Sequence, residues 1–355
     1  MTSHDRVMTA LRRERPDRPP LNYYGTPETT QKLLGHLGLE TAEELLCYFG
    51  ADMRYVSARY VGPDTFSGAF GFGTGGVDMW GIEWRPARNE WCTYYEPVGH
   101  PLAQARTVSD IEAYNWPSID WLSFAHIGDD IRRINQAEPK AIVFSMGSFI
   151  EIAWAMRGFE QFLADMIEQP EMVDAMLRRV TPLCKESSMR ALEEAQGKID
   201  IVWSAGDVGM QSGMMFSPEL WRERIKPFHR ELIEPFKQMG VMTRYHTDGS
   251  VFPIIEDFIE MGLDLLDPIQ PNTEGMSAEN LRACFGGRIA FYGGVDTQRL
   301  LPYGTPGEVE ADVLRLINVL GANGGYIAAA SNAVQPDVPI ENILSLYRTA
   351  REFRY

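Results

Sequence analysis

The sequence predicts a (β/α)8 barrel. Short β-rich segments alternate with long amphipathic helical patterns, which calls for a parallel sheet. There are eight such units in 355 residues, enough to close a ring. The polar residues most suited to chemistry fall directly after the strand segments, where this fold keeps its active sites. A doubly wound open sheet is the alternative arrangement.

In chain order, the strands are expected at residues 20–24, 53–57, 141–145, 200–204, 241–246, 264–266, 288–292 and 325–330. Helical patterns occupy 151–168, 170–195, 218–239, 251–261 and 306–320. Before the third of these helices Ser217 stands as an N-cap, Pro218 takes the first helical position and Gly240 is a stop. Residues 61–120 fit neither pattern. They are rich in Gly, Trp and Tyr and read as a long insertion after the second strand, a lid or hairpin region over the barrel mouth. Residues 1–355 are thus expected to form one barrel domain with this insertion inside it. Trp80, Trp84 and Trp91 either make the insertion's core or stack a planar substrate. The run GFGTGG at 71–76 lacks the preceding strand, following helix and Lys of a phosphate loop.

Composition narrows the function. Hydrophobic residues make up 45% and charged residues 23% of the chain, as in an ordinary globular protein. The net charge of −16 repels phosphate backbones, so nucleic acid is excluded as a partner. No stretch has the ~20 uninterrupted apolar residues of a membrane span. The first twenty residues are charged throughout and carry no leader-like apolar segment. Cys47, Cys92, Cys184 and Cys284 are widely spaced and read as reduced thiols of a cytoplasmic protein.

The candidate site is read from the strand ends: Arg59; Ser145, Ser148 and Glu151; Asp207; His246 and Asp248; Gln270; Asp296; Ser331 and Asn332. The stretch YHTDGS at 245–250 poses the sharpest question. Asp-Gly alone makes a turn, so His246 is the residue that asks for a role. Each candidate also has a plain structural reading. His246 can bond the pocket wall, Glu151 suits a helix start through the dipole, and Asp296 can cap the next helix. Asn332 can bind loop backbone. Asp207 lies on a glycine-flanked loop in SAGDVGMQSG, where a functional role is favoured. His229, inside a helix beside Arg230, is expected to be solvated.

Several segments together resemble the uroporphyrinogen decarboxylase superfamily. They are RVMTALRRERPDRPPL, GFEQFLADMIEQPEMVDAML, SPELWRERIKPFHRELIEPFKQMGV, YHTDGSVFPIIEDFIEMGLDLLDPIQP, FYGGVDTQRLL and NAVQPDVPIENIL. That superfamily joins the decarboxylase to corrinoid-linked methyltransferases and is related to cobalamin-independent methionine synthase. The resemblance spans nearly the whole chain and implies a (β/α)8 barrel, as the strand count does.

Departures from the family pattern matter for the reaction. Decarboxylases carry an arginine-rich segment after the first strand to grip a polycarboxylate. Here that place reads NYYGTPETTQKLLG, without an arginine, and their catalytic Asp is not found near RYVSARYVG. Arg59, Arg157 and Arg244 are the arginines left for such a clamp. The methyltransferase branch implies zinc on a His-x-Cys pair after the fifth strand and a Cys after the eighth. His246 is kept, Asp248 stands for the first Cys, and Asn332 stands near the second. Losing both thiolates makes a harder metal centre and disfavours a thiol acceptor.

The resemblance then implies a methyltransferase moving a methyl group, an O-methyl of a small compound, to a separate corrinoid protein. Zinc would be held by His246, Asp248 and Glu151, with Asp207 as ligand or orienting residue. A uroporphyrinogen-type decarboxylase and a non-catalytic pocket-binding relative are the alternatives.

Overall fold

The computed structural model describes residues 1–70 and 74–355. Part of the glycine run at 71–76 therefore lies outside the described residues. Seven strands form one all-parallel sheet in chain order: Met53–Val56, Ala141–Ser148, Ile201–Ala205, Met242–His246, Leu265–Ile269, Ala290–Gly293 and Tyr326–Ile327. The ring is completed at Leu21. The Ala328 amide donates to Pro20 O (2.8 Å) and the Asn22 amide to Ala328 O (3.3 Å), while the Asp52 amide donates to Leu21 O (2.8 Å). The strand expected at 20–24 is thus only a bridge. Pro19 and Pro20 bring no N–H to a ladder, and the Leu21 amide is taken by the Asp52 side chain (2.8 Å).

Side chains alternate across each strand, and this alternation sorts the interior into layers. The lowest layer is apolar: Met53, Ala141, Val143, Ile201, Leu265, Ala290 and Ile327 form one buried cluster. Helix Ser3–Leu11 closes it from below, with Val7 and Leu11 in the same cluster. Along Met242–His246 the inward residues are Met242, then Arg244, then His246. Tyr245 points outward into the helical layer, where it meets His229 and Phe258. A much larger apolar cluster fills the space between sheet and helices.

Two expected helices are each split. The pattern at 151–168 becomes Phe149–Arg157 and Phe159–Glu168, parted by Gly158 at φ +91°. The pattern at 218–239 becomes Pro218–Arg224 and Lys226–Gln238, because Pro227 cannot continue the hydrogen-bond ladder of the turn before it. His229, expected in solvent, is 1% exposed and packed among the rings of Phe149, Trp221, Tyr245 and Phe258.

Between the second and third staves the chain makes an antiparallel sheet of Gly76–Val77, Glu83–Arg88 and Thr93–Gly99. Its end is fastened to the helix at the third stave's exit. Leu102 N bonds Met156 O (2.9 Å), and His100 Nδ1 lies 2.6 Å from Ala155 O. Arg157, buried against Asp165 (2.7 Å), donates to the carbonyls of Leu102 (2.6 Å) and Ala105 (2.9 Å). Trp80 and Trp84 are buried in this region, whereas Trp91 is about half exposed (49%). All four cysteines are free thiols. Among the described residues no helix is long and apolar enough to cross a membrane.

Candidate active site

The strand Met242–His246 ends by delivering His246 to the inside of the barrel mouth, and the next four residues turn sharply. Gly249 sits at φ +82°, and a Cβ there would lie 2.4 Å from the Met210 amide nitrogen. Gly209 faces it, and its Cβ would lie 2.5 Å from Asp248 O. Two loops therefore meet backbone to backbone, which only glycine permits. This contact places Asp207, from the loop after Ile201–Ala205, beside Asp248: the Asp248 amide donates to Asp207 Oδ1 (2.7 Å). The Gly249 amide donates to Gln270 Oε1 (2.8 Å), and Val208 N to Thr247 Oγ1 (3.1 Å).

One ligand-capable atom from each of Asp207, His246 and Asp248 lies within 4.8 Å of the others. His246 Nε2 is 3.9 Å from Asp248 Oδ1, a buried oxygen with no hydrogen-bond partner. Asp248 Oδ2 accepts from Asn332 Nδ2 (2.5 Å). On the other side of the ring, His246 Nδ1 meets Asp267 Oδ2 at 3.2 Å. Asp267, 1% exposed, is held in turn by Arg244 Nε (2.8 Å). Below them Arg244 Nη1 donates to Tyr55 Oη (2.6 Å), and the guanidinium carbon stands 4.2 Å from the Tyr292 ring centroid and 5.3 Å from that of Trp203.

The electrostatics follow from this crowding. Burial works against charge on His246, but Asp267, Asp248 and Asp207 outweigh it and push its pKa up to about 9. Burial also opposes the Asp267 carboxylate, yet Arg244 and His246 hold it below the usual range. Asp248 is shifted up, first by burial and then by the charges of Asp207 and Asp267, with His246 pulling the other way. Glu151 is raised by burial and by the neighbouring Asp207 charge.

The sequence candidates divide sharply. His246, Asp248 and Asp207 converge, and Gln270 and Asn332 hold their loop. Glu151 lies beside Asp207 in a shared cavity but outside the three-residue cluster, which Asp207, expected as ligand or orienting residue, joins. Ser148 is the N-cap that accepts from the Glu151 amide (3.3 Å). Asp296 accepts from the amides of Gln298 (2.7 Å) and Leu300 (3.2 Å), capping the turn that follows it. Arg59 is exposed and 3.4 Å from Asp130. Asp267, Arg244 in its buried role, Tyr55 and Glu96 of the insertion were not among the expected site residues. The parity of the fifth and sixth strands marks the first two, since each lies two residues from another inward position. A larger groove of ≈ 670 Å³ lies outside the barrel. Its cations are largely spent, Lys226 on Asp257 and Glu260 and Arg230 on Glu234.

A parallel barrel with carboxylates and an imidazole at the carboxyl ends of its strands defines a class of barrel proteins with a polar, ligand-ready mouth. Residues 93–353 match the family described as uroporphyrinogen decarboxylase (URO-D), and the chain belongs to that family. A solved methyltransferase from Methanosarcina mazei shares its fold at 19% identity, with 99% of both chains covered and a TM-score of 0.73. A dihydropteroate synthase from Xanthomonas albilineans (12% identity, 46% of this chain and 57% of that one, TM-score 0.31) superposes too loosely to carry an argument. The same holds for the YdjI aldolase from Escherichia coli K12 (14%, 65% and 82%, 0.29). No curated protein matches the sequence.

Proposed function

We propose that the protein is a methyltransferase that passes a methyl group, the O-methyl of a small compound, to a separate corrinoid protein. The observation that carries this reading is the Asp207–His246–Asp248 cluster, with a buried, unpartnered Asp248 oxygen facing the imidazole. Such an oxygen asks for a cation or a donor. The donors fit zinc: His246, Asp248 and Asp207 would hold it, and with nitrogen and oxygen ligands it would supply Lewis acidity toward a leaving oxygen. Asp267 fixes the orientation of His246 from behind, so that Nε2 faces the two aspartates. Gln270 and Asn332 hold the loop that carries Asp248. The whole chain serves as one domain, and the insertion serves as a lid that keeps water from the mouth. The named methyltransferase of the same fold is in keeping with this chemistry.

The test mixes the purified protein with a reduced corrinoid protein and a panel of methoxylated compounds and follows the cobalt spectrum. Methyl-cobalt should form with at least one substrate and fail to form with His246→Ala. Elemental analysis should find zinc in the wild type and not in that variant. A decarboxylation without methyl-cobalt would overturn the reading.

One observation favours a second reading. His246 lies 3.2 Å from Asp267 and 3.9 Å from Asp248, which favour its protonated form, and it would deliver the proton that replaces a departing carboxylate. Against it, the arginines available for an acidic substrate are committed. Arg157 is buried on Asp165, Arg244 on Asp267, and Arg59 is paired with Asp130.

A further inference from the structure

Beside the cluster, under the insertion, lies a second chamber of ≈ 420 Å³ lined by Glu96, Pro97, Glu151, Trp154, Phe159, Asp207 and Met215. It is built from three separate places. Glu96 and Pro97 come from the outer strand of the insertion, and Glu151, Trp154 and Phe159 from the helix pair broken at Gly158. Asp207 and Met215 come from the loop after the fourth stave. Trp154 and Phe159 stand edge to face, with centroids 5.3 Å apart and planes at 77°. Phe159, at the start of its helix, is 39% exposed. None of the seven lining residues is basic. Arg85, across the strand pair from Glu96, is turned to Glu83 (2.8 Å).

Carboxylates and two aromatic rings in a lining with no basic residue repel acids and attract soft cations, and the nearest cation, His246, stands on the Asp207 side alone. Ring faces draw ammonium groups, most strongly those whose charge is spread over methyl groups and weakly hydrated. A small inorganic cation could take the carboxylates but would gain little from the side chains of Trp154, Phe159, Met215 and Pro97, which offer it no ligand oxygen. We propose that this chamber binds the ammonium end of a small organic cation and that the substrate is therefore a methylated compound bearing a tertiary or quaternary ammonium group. As a statement about substrate this rests on the methyltransferase reading; as a statement about the chamber it does not. Asp207 belongs to both spaces, so a ligand seated here reaches the cluster.

The experiment is calorimetric titration of the purified protein with tetramethylammonium, choline and 3,3-dimethylbutan-1-ol, the neutral isostere of choline. Choline is expected to bind about tenfold or more tighter than the isostere. Glu96→Gln and Phe159→Ala, both outside the cluster, should each weaken choline about 5-fold to 30-fold. Equal affinity for the isostere would overturn the proposal. So would no binding of either cation at millimolar concentration, or cation binding indifferent to both variants. Choline binding without methyl-cobalt from any substrate would leave the chamber standing and remove the methyltransferase reading. Methyl-cobalt formed from neutral ethers by a protein that ignores choline would do the reverse.

Discussion

His229 and His246 place the same imidazole in opposite surroundings. His229 is enclosed by four aromatic rings, its Nε2 has no partner, and burial alone pushes its pKa down to about 3. The folded state then binds fewer protons than the unfolded state between about pH 6.5 and pH 3. Stability therefore falls as pH drops through that window, at about 1.4 kcal/mol per pH unit. A phenyl ring fits the same aromatic box and cannot titrate. Urea titrations at pH 7 and pH 4 should show a smaller loss in His229→Phe than in the wild type; parallel losses would refute the assignment. His246 instead leans on Asp267, whose buried charge is shared with Arg244. Asp267→Asn keeps the shape but removes the charge that orients the ring. Zinc affinity, read by chelator competition, should fall about 10-fold to 100-fold. An unchanged affinity would mean that Asp267 serves Arg244 alone.

At the scale of elements, the site depends on two loops that touch through Gly209 and Gly249. Gly249→Ala would put a methyl group into the Met210 amide and force a left-handed residue, at a cost of about 1–3 kcal/mol. The loops must part to relieve this, and Asp207 and Asp248 part with them. The expected outcome is a lower melting temperature together with weaker zinc binding. Loss of stability with full zinc affinity would show that the loop contact does not set the cluster. The YHTDGS motif made this turn legible because Asp-Gly after a strand has few other uses. The position of Asp207 opposite it was legible only as a strand-end residue, since nothing local to SAGDVGMQSG says which loop it will meet. Glu151 stands outside the three-residue cluster for a related reason. A helix start announces a carboxylate through its capping logic, but its reach depends on the helix axis. Asp267 went unread because the sixth strand looked as if it ended at 266, whereas pairing with its neighbours carries it to Ile269.

At the scale of the molecule, the barrel was readable because eight strand–helix alternations leave few closed arrangements, and period-two patterning fixes which side chains enter it. Its closure was not readable. The first stave contributes little backbone pairing of its own, and a side chain supplies part of what the ladder lacks. Asp52, fully buried, accepts from Arg6 Nη1 (2.7 Å), from Arg18 Nη1 (2.9 Å) and Nη2 (3.1 Å), and from the Leu21 amide (2.8 Å). It ties the plug helix, the proline-bound segment and the second stave into one knot beneath the barrel. Removing a buried acceptor of this kind leaves Arg18 without its counter-charge and Arg6 with Asp17 alone, which costs about 3–5 kcal/mol. The plug helix and the first stave share that anchor, so the loss should be global. Asp52→Ala should lower the denaturant midpoint and raise amide exchange around the whole ring, with the staves at Ala141–Ser148 and Met242–His246 affected as strongly as residues 1–22. Asp165→Ala removes an equally buried partner from Arg157, but that pair holds only the insertion's end and the two helices parted at Gly158. Its exchange should rise chiefly near residues 93–105. If Asp52→Ala frayed only residues 1–22 and left the other staves protected, the barrel would be held by its seven paired strands alone, and the knot would be an ornament of the N-terminus rather than its closure.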